Sequence, residues 1–170
     1  MSFITSIGTA VPANRFSQAS IGDFMVKAMQ LDYTNSRKLK TIFRSSGISY
    51  RHSVLSDFGK EKDFTFFSNT PDFEPFPSTE RRVEEFRTHA LALSTQAIQD
   101  CFAGRKDFKL DSITHLITVS CTGMYAPGLD IELVKELGLR SNVQRTTINF
   151  MGCYAAFNAI KAGDAFCKMN

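Results

Sequence analysis

Beginning at Thr79, the apolar positions Val83, Phe86, Ala90, Leu93 and Ala97 recur every three or four residues until Gly104. That interval keeps one face of an α-helix apolar, so the longest helix of the chain is predicted here, with Thr79 as its cap. Ile21, Phe24, Met25 and Ala28 repeat at the same interval behind Ser17 and Ser20, either of which can cap a helix. A shorter helix is predicted over residues 36–45, closed by Gly47 in the left-handed turn that ends helices. Three runs read instead as strands. Residues 3–11 are rich in Ile, Thr and Val and stop at Pro12, and residues 113–120 and 145–150 are β-rich in the same way. Between the last two, Asp130 is expected to cap a helix that runs through Leu137 and ends at Gly138, and residues 154–168 read as a final helix. Strand, helix, strand, helix is the order of a parallel α/β sheet.

Residues 53–78 break the pattern, because Phe58, Phe64, Phe66, Phe67, Phe73 and Phe76 lie among Asp, Lys, Pro71, Pro75 and Pro77 without a sustained period. A long loop with aromatic anchors is predicted. Its rings either pin an irregular segment to the surface or form a cover over a pocket.

With 170 residues, 43% of them hydrophobic, the chain can bury one sizeable core, so one domain or part of one is expected. Twenty basic against 17 acidic side chains leave a net charge of +3 without a long run of either sign, too mild to argue for nucleic acid. The N-terminus lacks a basic segment followed by a long apolar run, and no stretch approaches the ~20 apolar residues that span a bilayer. A soluble cytoplasmic protein without membrane attachment is expected. Cys101, Cys121, Cys153 and Cys167 form no Cys-x-x-Cys pair and are expected as reduced thiols. His52, His89 and His115 are isolated from them and from one another, so no metal site is expected.

Cys153 stands out by position. The predicted strand runs through Met151 and Gly152 straight into it, and a helix follows. A thiol at the first turn of a helix faces unpaired amides and the positive end of the dipole, which favour the thiolate. Gly152 allows a sharp turn and close approach of substrate, and Ala155 and Ala156 leave room beside the thiol. A cysteine before an apolar helix is equally a core residue by its chemistry, and both readings stand at this point. Cys167, near the end of the same helix, reads as a core or surface thiol.

Met151-Gly-Cys-Tyr-Ala-Ala156 resembles the nucleophile segment of bacterial type III polyketide synthases, relatives of chalcone and stilbene synthases. Ile113-Thr-His-Leu-Ile117, Thr122-Gly123, Pro127-Gly-Leu-Asp130 and Leu137-Gly-Leu139 resemble that family's run from a core strand through a Pro-Gly loop into a helix. Ser46-Gly-Ile-Ser-Tyr-Arg-His52 is similar to a segment of thiolase-like condensing enzymes that follows their acyl-carrier contact helix. The three segments occur in the family's order across most of the chain.

The resemblance implies an α/β thiolase-like fold of αβαβα layers, of which this chain is the N-terminal half, with a mainly parallel sheet and the Cys153 helix buried at its centre. It implies an acyltransferase in which Cys153 takes an acyl group from acyl-CoA and condenses it with the carbanion left by decarboxylation of malonyl-CoA. No cofactor is implied beyond CoA thioesters as substrates. Cys121, Thr122, Met151 and Gly152 are the implied substrate-binding residues. Lys38 matches a CoA-phosphate position of the family, with Arg37, Lys40 and Arg44 on the same short helix as neighbouring candidates. Plant members carry Met before the Pro-Gly, where this chain has Ala126, and Met124 is the nearest substitute. The family's catalytic His and Asn come from the other half, and none of His52, His89 or His115 matches, so the chain alone is expected to hold a nucleophile without its base. Exposed apolar surface and an unpaired sheet edge follow. A homodimer is implied, and an acyl-carrier protein is a further candidate partner. The competing readings are a chain-initiating 3-oxoacyl-acyl-carrier-protein synthase, a non-catalytic half that binds or dimerises, and a thiol redox protein.

Overall fold

The computed structural model describes residues 2–105 and 108–169. The chain forms two compact units, Val11–Ser78 and a second built from Met1–Ala10 with Thr79–Asn170.

In the first unit, β1 (Asn14–Ser17) leads directly into α1 (Gln18–Ala28), and α2 (Tyr33–Ser45) returns the chain to β2 (Tyr50–Ser53). The two strands pair antiparallel, from Asn14 opposite Ser53 to Ser17 opposite Tyr50. Of the two serines able to cap α1, Ser17 does so, its Oγ accepting from the Ser20 amide at 3.0 Å. Helix α2 starts at Tyr33, earlier than the apolar pattern indicates, because the Asp32 carboxylate accepts from the Asn35 amide at 2.8 Å and caps it there. Gly47 takes the expected left-handed conformation, φ 70°. Buried Gln18 ties the unit together: its Nε2 donates to the Phe43 carbonyl and to Ser46 Oγ, and its Oε1 accepts from Arg51 Nε at 2.7 Å.

The aromatic segment corrects both expectations made for it. Phe58, Phe64, Phe67 and Phe73 gather around Phe24 of α1, with ring centroids 5.0–6.1 Å apart in edge-to-face and tilted pairs. Phe73 is fully buried, so these rings are the core of the unit rather than surface pins or a cover. An irregular backbone needs something to satisfy its amides, and Asp57 does this. Its carboxylate is fully buried and accepts from the amides of Thr65, Phe66 and Phe67 at 2.7–3.0 Å and from Thr65 Oγ1 at 2.8 Å. Lys60 Nζ lies 3.3 Å away as its counter-charge.

The second unit contains α3 (Thr79–Phe102), β3 (His115–Ser120), α4 (Leu129–Glu136), β4 (Gln144–Asn149) and α5 (Ala155–Met169). Strands β3 and β4 pair in parallel, from His115 opposite Gln144 to Ser120 opposite Asn149, the arrangement that alternating strands and helices predict. Leu133, Leu139, Val143 and Ala155 are buried around them. Asp130 is not the cap of α4. Gly128 takes that place with extended backbone, and Asp130 sits in the first turn, where its carboxylate pairs with Arg145 Nη1 at 2.5 Å.

Residues 3–11 form no strand among the described residues. The segment is held instead by α3: the Thr9 amide donates to Asp100 Oδ2 at 2.8 Å, and Ser6 Oγ donates to the Cys101 carbonyl at 2.5 Å. Phe3, Ile4 and Ile7 are left exposed. The fit against the helix is close at Gly8, where an added Cβ would lie 2.1 Å from the Ala97 carbonyl oxygen and 2.2 Å from the Cys101 amide nitrogen. Backbone on both sides has no rotamer with which to yield. Gly8→Ala is therefore expected to cost roughly 2–3 kcal/mol, read as a lowered urea midpoint at unchanged slope.

Candidate active site

Cys153 lies where the sequence places it, between β4 and α5, but the connection is more sharply bent than a simple strand-to-helix turn. The Phe150 amide still donates to the Ser120 carbonyl at 3.3 Å, extending the ladder by one bond. Phe150 itself then adopts φ 59°, and Gly152 follows at φ 58°. For Phe150 a left-handed conformation costs about 1 kcal/mol, the kind of local strain that collects at functional turns. A single 3-10 turn, Gly152–Tyr154, carries Cys153 into α5, and the Ala155 amide donates to the carbonyls of Gly152 and Cys153. The thiol thus stands on the turn that opens the helix, with open space where a side chain on Gly152 would project.

Burial departs from expectation. The helix is not buried here and Cys153 is exposed. Ala155 is fully buried, His115 of β3 stacks on Phe166 with centroids 4.6 Å apart, and Gly163 approaches Ile117, so one narrow face of α5 rests on the sheet. The opposite face is open. Phe150, Met151, Tyr154, Phe157 and Ile160 are between 48% and 65% exposed, which surrounds the thiol with the uncovered apolar surface expected of this chain. Asn158 Nδ2 reaches Met151 Sδ at 3.3 Å, and Lys161 Nζ donates to the Tyr154 hydroxyl at 3.3 Å. His115 is a structural residue: its Nδ1 lies 2.9 Å from Thr114 Oγ1, and its ring serves the stack on Phe166.

The loop after β3 holds Cys121 and Thr122, both exposed. The structure does not bring these two into the small cavity of about 170 Å³ beside them, which is lined instead by Phe86, Ser120, Gly123, Met124, Tyr125 and Asn149, among others. Ser120 Oγ accepts from the Gly123 amide at 3.0 Å and so shapes the loop. Tyr125 donates to Glu132 Oε2 at 2.5 Å; burial, and then the carboxylate beside it, push its phenol well above the ordinary tyrosine range. Asn149 Oδ1 is buried without a hydrogen-bond partner. Sequence reasoning passed over Asn149. The signal available was a polar residue closing a β-rich run four positions before the candidate nucleophile.

Arg37, Lys38, Lys40 and Arg44 all lie on α2, in the other unit, and the helix separates them. Arg37, Lys40 and Arg44 line a cavity of about 660 Å³ between α1 and α2, where Lys40 pairs with Asp23 at 2.6 Å. Lys38 lies on the other flank, beside Tyr33 and Ile42, in an open depression of about 570 Å³ that it shares with Arg37.

The model of the chalcone and stilbene synthases, N-terminal domain, matches residues 1–170. The chain belongs to that family. Among curated relatives, it is 30% identical over 158 residues to the alpha-pyrone synthesis polyketide synthase-like Pks18 of Mycobacterium tuberculosis, covering 92% of this chain and 38% of that protein. Among solved structures it resembles PKS-I of the brown alga Ectocarpus siliculosus with a TM-score of 0.82 at 27% identity, over 98% of this chain and 44% of that one. The C-terminal type III polyketide synthase domain of Steely1, a type I/III hybrid from Dictyostelium, follows with a TM-score of 0.74 at 25% identity, over 99% and 44% of the two chains. The chain therefore has the thiolase-like fold of type III polyketide synthases and spans less than half the length of each of these proteins. Among the described residues, no helix of this family member is long and apolar enough to cross a membrane.

Proposed function

We propose that this member of the chalcone and stilbene synthase family contributes the acyl-accepting half of a polyketide-forming acyltransferase, with Cys153 as the nucleophile. The observation that carries the reading is the position of Cys153, on a strained left-handed bend that opens α5 beside open space. In the proposed step the Cys153 thiolate attacks the carbonyl carbon of an acyl-CoA thioester. A bond to Sγ forms, the bond to the CoA sulfur breaks, and CoA leaves as a thiolate that takes up a proton. The condensation with malonyl-CoA-derived carbanion needs a base and an oxyanion partner, and none of the described residues beside Cys153 is assigned either role. Arg37, Lys38, Lys40 and Arg44 supply the cationic charge for CoA phosphates. Met151 and Gly152 flank the acyl group, and Cys121 and Thr122 are the proposed wall further along it. A homodimer in the cytoplasm and an acyl-carrier protein as alternative donor belong to the same reading.

Whole-protein mass spectrometry after incubation with fatty acyl-CoA thioesters tests it. A single adduct of the acyl mass, removed by neutral hydroxylamine as a thioester is, is expected. An unmodified mass with every acyl-CoA tried, or an adduct that survives hydroxylamine, contradicts the reading.

A further inference from the structure

Thr118 lies opposite Thr147 and Ser120 opposite Asn149, so four polar side chains share one face of the β3–β4 pair, where they line the cavity of about 170 Å³ beside the start of α4. Three of them are engaged. The Thr118 and Thr147 hydroxyls bond to each other at 3.0 Å, and Ser120 Oγ accepts from the Gly123 amide. Asn149 Oδ1 is the exception, buried and without a partner. The rest of the wall is largely apolar and partly aromatic. Phe86 and Tyr125 meet edge to face with centroids 6.2 Å apart, and Met124 and Leu129 also line the space. The Phe86 ring is held tightly against Gly123, where an added Cβ would lie 2.3 Å from it.

A buried carbonyl oxygen without a donor has lost its hydration and gained nothing in return, so such an atom calls for a partner. Water is the ordinary one. A cavity of this size would take about five water molecules, each needing roughly two to four polar contacts, and one free acceptor beside apolar walls does not supply them. A single molecule with one donor on an apolar body answers both features. Charge is not called for: Asp130 pairs with Arg145 at 2.5 Å, Glu132 accepts from the Tyr125 hydroxyl, and Arg87 lies 5.5 Å from the centre of that ring. An anion would face the carbonyl oxygen, and a cation would find both carboxylates committed. We propose that the cavity binds a small, neutral, hydroxyl-bearing aromatic compound of the size of phenol. Its O–H donates to Asn149 Oδ1, and its ring lies among Phe86, Met124, Tyr125 and Leu129. The size agrees, since an apolar cavity of about 150 Å³ holds one benzene ring. The terminal torsion of an asparagine is soft, so the carboxamide turns its oxygen toward the ligand at little cost. Cys121 and Thr122 lie outside the cavity, but Gly123, Met124 and Tyr125 continue their loop, and an occupied cavity braces it. Nothing in this proposal depends on the role of Cys153.

The test is an amide-resolved NMR titration of the whole chain with phenol, with toluene, which replaces the hydroxyl by a methyl group of similar size, and with benzylammonium and benzoate. Phenol is expected to bind saturably with a dissociation constant on the order of 1 mM, moving the signals of Ser120, Gly123, Tyr125 and Asn149. Toluene and the two ions are expected to bind roughly tenfold more weakly, toluene because it leaves the buried oxygen unpaired. Asn149→Leu removes the acceptor at similar volume and is expected to bring phenol down to the affinity of toluene, with toluene itself changed by less than about a factor of two. Phenol binding no tighter than toluene, an ion binding as tightly as phenol, or shifts confined to α5 overturns the proposal. A phenol preference that survives Asn149→Leu overturns it as well. If that variant does not fold, the contrast between phenol and toluene on the parent chain decides alone. Acyl loading of Cys153 is read by mass separately, so failure of either reading leaves the other standing.

Discussion

Cys153→Ala is expected to lower acyl loading from acyl-CoA to below roughly a hundredth of the wild-type level, while Cys167→Ala leaves it within about a factor of two. Alanine removes the sulfur and little else. The Cys153 side chain is exposed, so no packing is lost and the variant is expected to melt within about 1 °C of the parent. The contrast with Cys167 matters because that thiol is exposed as well but lies in the last turn of the same helix, away from its opening amides. If exposure alone governed acylation, the two variants would lose comparable amounts. Intact-mass spectra of the three proteins with one acyl-CoA decide between these outcomes.

The second large effect is on stability, at Asp57. Burial by itself would raise this carboxyl, but the amides of Thr65, Phe67 and Phe66 and the Thr65 hydroxyl outweigh it and hold it at about 2, against an ordinary value of 3.8. Because the folded value is depressed, the contribution is fully present above 3.8 and is lost as pH falls through about 2. The gap corresponds to roughly 2 kcal/mol. Asp57→Ala removes this contribution and also takes the acceptor from the amides of Thr65, Phe66 and Phe67, for a total of about 3–5 kcal/mol. A fall in melting temperature of roughly 10 °C at neutral pH is expected, shrinking as both proteins are taken toward pH 2. A loss that stays constant across that range would mean that charge on Asp57 plays no part in holding residues 64–67.

Local, periodic information was legible. The stripe from Val83 to Ala97 gave α3, the Ile21–Ala28 stripe gave α1, and the two β-rich runs gave the parallel pair that aims Cys153 at the end of β4. Elements fixed by non-local partners were not. Residues 3–11 have strand composition but find their hydrogen bonds on the side chains and carbonyls of α3, and composition carries no record of which partner is available. Asp130 has the chemistry of a cap, yet Gly128 starts the helix and Arg145 claims the carboxylate. The rings between Phe58 and Phe73 have no period because they converge on Phe24 from an irregular backbone, and one buried aspartate makes that backbone affordable. At the site, the bend was visible in Gly152, whereas the left-handed Phe150 and the unpartnered Asn149 oxygen were not, since neither residue type announces such a state. The exposure of α5 is likewise a property of what lies against it, not of its own apolar sequence.

The central claim, that Cys153 is an activated thiol rather than merely an accessible one, is tested most directly by peptide-resolved alkylation rates with iodoacetamide near neutral pH. Cys121, Cys153 and Cys167 are all exposed, so accessibility alone predicts similar rates at the three. Placement at the opening of α5 predicts that Cys153 reacts roughly tenfold faster than either of the others. Equal rates, or a slower Cys153, would contradict the assignment of this residue as the nucleophile.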